Sequence, residues 1–90
     1  PNNLEQTIGE LKQAGYQILG LDADTNVSLV DYAFGSQIVL AVGGEDVGLP
    51  PFIRKQCTDV LRIPMNAEAQ SYNASVALSL GLYEIARKKL

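Results

Sequence analysis

A chain of 90 residues makes at most one domain and buries only about 60–65% of the surface its unfolded form exposes, so its core is either efficient or completed by further protein. A hydrophobic fraction of 47% beside 19% charged residues argues against disorder, and no apolar run approaches the roughly 20 residues that cross a bilayer. The net charge of −3 hides a split: residues 1–50 set Lys12 against seven acids, and residues 51–90 set six bases against three acids.

In chain order, Leu4, Ile8 and Leu11 recur at helical spacing and Gly15 is a stop, which predicts an amphipathic helix over residues 4–14. A short strand follows over 16–21 (YQILGL), then turn chemistry over 22–26 (DADTN). Residues 27–34 are ambiguous, with a short helix beginning near Ser28 as one reading. Residues 37–42 (QIVLAV) are nearly all apolar and β-branched, the pattern of a strand buried on both faces. A glycine- and proline-rich loop spans 43–51, a helical turn 52–57 and a third strand 60–63. After a loop over 64–70, residues 71–88 predict a long helix with Ala74, Leu78, Leu82 and Ile85 along its apolar face.

Helices alternating with buried strands define an α/β fold with a parallel sheet of three strands and flanking helices. Open sheets of this kind bind ligands outside the carboxyl ends of their strands. The loops after Val42 and Ile63 sit at such ends, and this places a candidate site. The single Cys57 forms no internal disulfide, and with no His in the chain a zinc site is implausible. Cys57 reads as a small packing residue in a protein of the reducing cytoplasm. Pro1 opens the chain without an initiator Met or a signal-peptide pattern, which points to processing or trimming.

The first loop, Gly43-Gly44-Glu45-Asp46-Val47-Gly48-Leu49, lets backbone come close to a ligand. It lacks the Gly-Lys-[Ser/Thr] of a phosphate-binding loop and the helix register of a dinucleotide fingerprint. Glu45 and Asp46 repel phosphate and suit hydroxyls, amines or positive charge; the competing reading is a plain surface turn. Behind the second loop, Ser71 is a helix N-cap. Asn73, which helix propensity does not favour in the first turn, either orients a substrate hydroxyl or is merely solvated. The basic second half either faces phosphates or, at Arg87-Lys88-Lys89, complements a helix carboxyl end.

Taken in order, GGEDVGL, RIPM and SYNASVALSLGLYEIAR resemble the second and third motifs of the SpoU (TrmH-like) branch of the SPOUT methyltransferases, over residues 37–90. The resemblance implies a SPOUT-type α/β knot, with the last helix threaded through an earlier loop as a trefoil. It implies an RNA (rRNA or tRNA) ribose 2′-O-methyltransferase that takes S-adenosylmethionine, needs no metal or membrane, and works as a homodimer. By motif position, Val42, Gly43, Gly44, Ile63, Met65, Tyr72 and Ala74 fall at the cofactor. Glu45, Ser71 and Asn73 fall at the polar active-site positions. The family's first motif, with its arginine and asparagine, has no counterpart in these residues. That leaves two expectations: the cofactor-binding C-terminal part of such an enzyme, or a non-catalytic binding or dimerisation module of the same fold.

Overall fold

The computed structural model describes residues 3–43, 48–64 and 74–89. Helix α1 (Leu4–Gln13) is capped by Asn3, whose side chain accepts from the Gln6 amide at 3.0 Å, satisfying one of the free amides of the first turn. Gly15, at φ +99°, takes the left-handed turn that ends the helix and leads into strand β1 (Gln17–Leu21). Strand β2 (Ile38–Val42), helix α2 (Pro51–Gln56), strand β3 (Asp59–Leu61) and helix α3 (Ala74–Lys88) follow. Pro51 opens α2, where its missing N–H costs nothing. No helix among the described residues is long and apolar enough to cross a membrane.

All pairings within the sheet are parallel, in the order β2-β1-β3. Side chains alternate across the strands and build two cores. On one face Ile18 meets Ile8 of α1 and Ile53 of α2, together with Leu49. On the other, Leu19, Leu21 and Leu61 pack with Leu29, and Ala77 of α3 lies against them. Ile18, Leu19 and Leu61 are fully buried, each contributing about 1.5–3 kcal/mol.

Three expectations change. The apolar run of β2 is half-buried at every position, because β2 pairs with β1 alone among the described residues and lies at the sheet's edge; the central strand is β1. Residues 27–34 form no helix. Residues 27–29 instead pair with Arg62, just beyond β3, with Ser28 bridging Arg62 in parallel and the Leu29 amide donating to the Arg62 carbonyl at 2.9 Å. Finally, α3 does not pack through Leu78 and Leu82, which remain 36% and 55% exposed. Its packed face runs through Ala77, Gly81 and Glu84. A Cβ on Gly81 would lie 3.1 Å from both Leu21 and Leu40. Small residues four apart let the helix backbone approach the sheet closely, and that proximity outweighs the longer apolar stripe.

Candidate functional site

Three strands deliver three chain exits to one end of the sheet. β2 leaves through Val42 and Gly43, β1 through Asp22, and β3 through Arg62 and Ile63. Val42 and Ile63 both pack on the cluster of Leu19, Leu21 and Leu61, beside Ala77 in the first turns of α3. Of the residues expected at a cofactor, Val42, Gly43 and Ile63 therefore share this end. The α3 backbone begins there too, at Ala74. Gly44, Glu45, Met65, Ser71, Tyr72 and Asn73 lie outside the described residues.

The loop after β2 returns on itself. A Cβ on Gly43 would sit 1.9 Å from the Gly48 carbonyl oxygen and 2.5 Å from the Leu49 nitrogen, so the two ends of the loop touch and no side chain fits between them. Gly48 holds φ +70°, a left-handed conformation that favours glycine. Leu49 then plugs into the core over Gly20, where a Cβ would meet its Cδ1 at 2.5 Å and the Cys57 sulfur at 2.9 Å. Glycine in the middle of β1 is thus the socket for the loop's far end. Cys57 serves as packing, with burial pushing its thiol up and only partial relief from Arg54 and Lys12.

Sequence reasoning assigned Asp22 to a turn, and it does make one: its Oδ1 accepts from the Asp24 amide at 3.1 Å. Its Oδ2 does something the turn does not need. It accepts from the Leu49 amide at 3.2 Å and from Arg54 Nη1 of α2 at 3.0 Å. The second arm of Arg54, Nη2, donates to the Asp24 carbonyl at 2.6 Å. Burial pushes the Asp22 carboxyl up, but the Asp24 and Leu49 amides and the Arg54 guanidinium outweigh it and hold it below the usual aspartate range. The available signal was its position: an acid directly after a buried strand, at the carboxyl end where such sheets bind ligands.

The basic residues of the second half are largely engaged within the fold. Arg54 is held by Asp22, and Arg62 Nε donates to the Thr25 carbonyl at 3.3 Å. Arg87 pairs with Glu84 at 2.6 Å, while Lys88 and Lys89 each donate at 2.9 Å to the carbonyls of Tyr32 and Gly35. For Arg87, Lys88 and Lys89 this favours the helix-end reading over a phosphate-facing one.

A parallel three-stranded sheet with helices packed on both faces defines an α/β protein. Comparison with known proteins narrows the class: the SpoU rRNA methylase family model matches residues 1–83, and the chain belongs to that family. It is 36% identical over 88 residues to a 23S rRNA (guanosine-2′-O-)-methyltransferase RlmB of Burkholderia sp., covering 98% of this chain and 36% of that protein. Among solved structures, the A. aeolicus TrmH/SpoU tRNA modifying enzyme superposes with a TM-score of 0.86 at 33% identity, covering 99% of this chain and 46% of that one. The SpoU methyltransferase AviRb of Streptomyces viridochromogenes, solved in complex with AdoMet, gives 0.82 at 28% identity, covering 99% and 34%. The chain spans about a third of the length of the curated relatives it matches.

Proposed function

We propose that this chain is the methyl-donor-binding portion of an RNA ribose 2′-O-methyltransferase that takes S-adenosylmethionine and acts on rRNA or tRNA. The observation that carries this is the convergence of Val42, Gly43 and Ile63 at one end of the sheet, over a cluster shared with Ala77, in a chain of the SpoU family. The AdoMet complex of AviRb and the guanosine-2′-O activity in the name of the Burkholderia relative support the same reading.

S-adenosylmethionine supplies a methyl group on a sulfonium sulfur. When bound, it would offer that methyl to a ribose 2′-oxygen, the carbon–sulfur bond breaking to leave a neutral thioether and the hydroxyl proton passing to a base or to water. Val42, Gly43 and Ile63, with Gly44, Met65, Tyr72 and Ala74, hold the donor. Glu45, Ser71 and Asn73 hold and orient the acceptor hydroxyl. Alignment of the two reactants supplies much of the acceleration. The apolar Val42 and Ile63 and the close approach of Gly43 to Gly48 favour donor contacts made through backbone and hydrocarbon, with little direct charge pairing. The 90 residues are one domain, or part of one, with the trefoil threading of α3 and a cytoplasmic place of work. A homodimer completes the reading, supported by the uncovered Leu78 and Leu82 on α3.

The test is methyl transfer by the intact protein from methyl-labelled S-adenosylmethionine to a broad RNA pool, followed by alkaline digestion. A 2′-O-methyl removes the nucleophile that alkali needs, so label is expected in alkali-resistant dinucleotides. Label in ordinary mononucleotides contradicts ribose methylation. Donor binding without any transfer favours the non-catalytic module.

A further inference from the structure

The contacts of Asp22 reach beyond its own turn. Oδ1 alone serves the Asp24 amide. Oδ2 faces the loop and is shared between the Leu49 amide and Arg54. Gly48 presses on the same carboxylate: a Cβ there would lie 2.9 Å from Oδ2 and 3.3 Å from Oδ1. The loop's return is therefore shaped around Asp22 and leaves no gap beside it. Gly48 in turn touches Gly43, one of the residues assigned to the methyl donor. Contact by contact, Arg54 orients Asp22, Asp22 fixes Gly48 and Leu49, and Gly48 fixes Gly43.

We propose that Asp22, oriented by Arg54, is a positioning residue for the methyl donor: it holds the return of the 43–49 loop so that the Gly43 backbone is set for binding before the donor arrives. This rests on the methyl-donor reading of the loop. The Asp22 side chain is 13% exposed and that of Arg54 37%, so the carboxylate is sheltered while the guanidinium remains partly open to solvent. A pair of this kind contributes little through its ion pair alone. Its effect lies in preorganisation, because a Gly43 backbone already held against Gly48 needs no ordering when the ligand binds. Arg54 enters from α2, which begins immediately after the loop at Pro51, so the pair locks the loop to the helix that follows it and to the strand beneath it.

Calorimetric titration of the intact protein with S-adenosylmethionine tests this, alongside the steady-state constants. Asp22→Ala is expected to weaken donor binding about tenfold, the loss of one charge-assisted hydrogen bond that organises a site. KM for the donor should rise by a similar factor while kcat at saturating donor stays within about twofold. Arg54→Ala should weaken binding comparably, and the double variant no further, because the two act as one unit. Arg54→Lys should restore part of the loss. Ile8→Val, a core truncation on α1, serves as the stability control: it should lower the melting temperature without moving donor affinity.

Donor affinity within twofold of the unaltered protein in Asp22→Ala overturns the positioning role and leaves the methyl-donor reading intact. Additive losses in the double variant, or an Ile8→Val protein that loses affinity in step with its melting temperature, overturn it as well. Failure of the unaltered protein to bind S-adenosylmethionine overturns the methyl-donor reading, and the positioning role with it.

Discussion

At the amino end of the strands, Tyr32 donates to Asp59 at 2.5 Å, Gln17 accepts from the Gly35 amide at 2.8 Å, and Lys88 and Lys89 clasp the carbonyls of the same connector. At the carboxyl end, Asp22 and Arg54 clasp the return of a glycine loop. Both are polar closures of similar size, yet they join different things. The first ties the end of α3 and the 29–36 connector to the sheet, with Phe34 edge-on to Tyr32 and beneath the Lys88 ammonium. The second ties a loop that carries a candidate ligand contact. If the carboxyl end is the binding end, as proposed, changes at the two ends should separate stability from affinity.

The largest separation is expected from Gly43→Ala. Its Cβ would fall 1.9 Å from backbone, which no rotamer change relieves, so the loop must move. With the Gly43 backbone displaced from its place beside Gly48, donor affinity should fall about a hundredfold, alongside an overpacking cost to stability of about 1–3 kcal/mol. Tyr32→Phe should do the opposite. It leaves the half-buried Asp59 short of a donor and should cost about 1–2 kcal/mol of stability with donor affinity unchanged, as chemical denaturation and calorimetry would show.

The alkaline side gives the same contrast without a mutation. Burial, and then the hydrogen bond and charge of Asp59, push the Tyr32 phenol from its ordinary 10.0 up to about 12. A raised folded value favours the protonated form. The stabilisation is complete below the unfolded value and is lost as pH climbs from about 10 toward about 12. Denaturation midpoints should fall across that window, and Tyr32→Phe should remove this component. The smallest effect belongs to Asp22 in acid. Its folded value is depressed, so its contribution is present above the unfolded value and is lost only as pH falls through the folded one, below the usual aspartate range. Asp22→Asn should flatten that acid limb slightly in a denaturation series.

Much of this was readable in the residues, for reasons that also explain the failures. Helix α1 was bounded by Gly15 after it, while its Asn3 cap emerged only in the structure, and the three strands fell within a residue or two of their expected places. The edge position of β2 was not readable, because an apolar, β-branched run reports burial potential and not which neighbour supplies the cover. The packed face of α3 was misjudged because the pattern weighs large apolar residues, whereas Ala77 and Gly81 win by allowing close approach. Residues 27–34 lacked a period, and the pairing of 27–29 rests on backbone bonds to Arg62, which no side-chain pattern encodes. At the candidate site, strand ends and motif order singled out Val42, Gly43 and Ile63, and the fold brings these three to one end of the sheet. Asp22 and Arg54 were missed because their partnership spans 32 residues and joins a turn to a helix. Arg54, one of the six bases of the second half, is engaged by Asp22 and the Asp24 carbonyl and not left facing phosphate.

The most direct test of the central claim is a calorimetric titration of S-adenosylmethionine into the intact protein, into Gly43→Ala and into Tyr32→Phe. Saturable binding by the unaltered protein and by Tyr32→Phe, with binding largely lost in Gly43→Ala, is the expected result. Equal binding by all three, or loss in Tyr32→Phe with retention in Gly43→Ala, would contradict a methyl-donor site at the carboxyl end of the sheet.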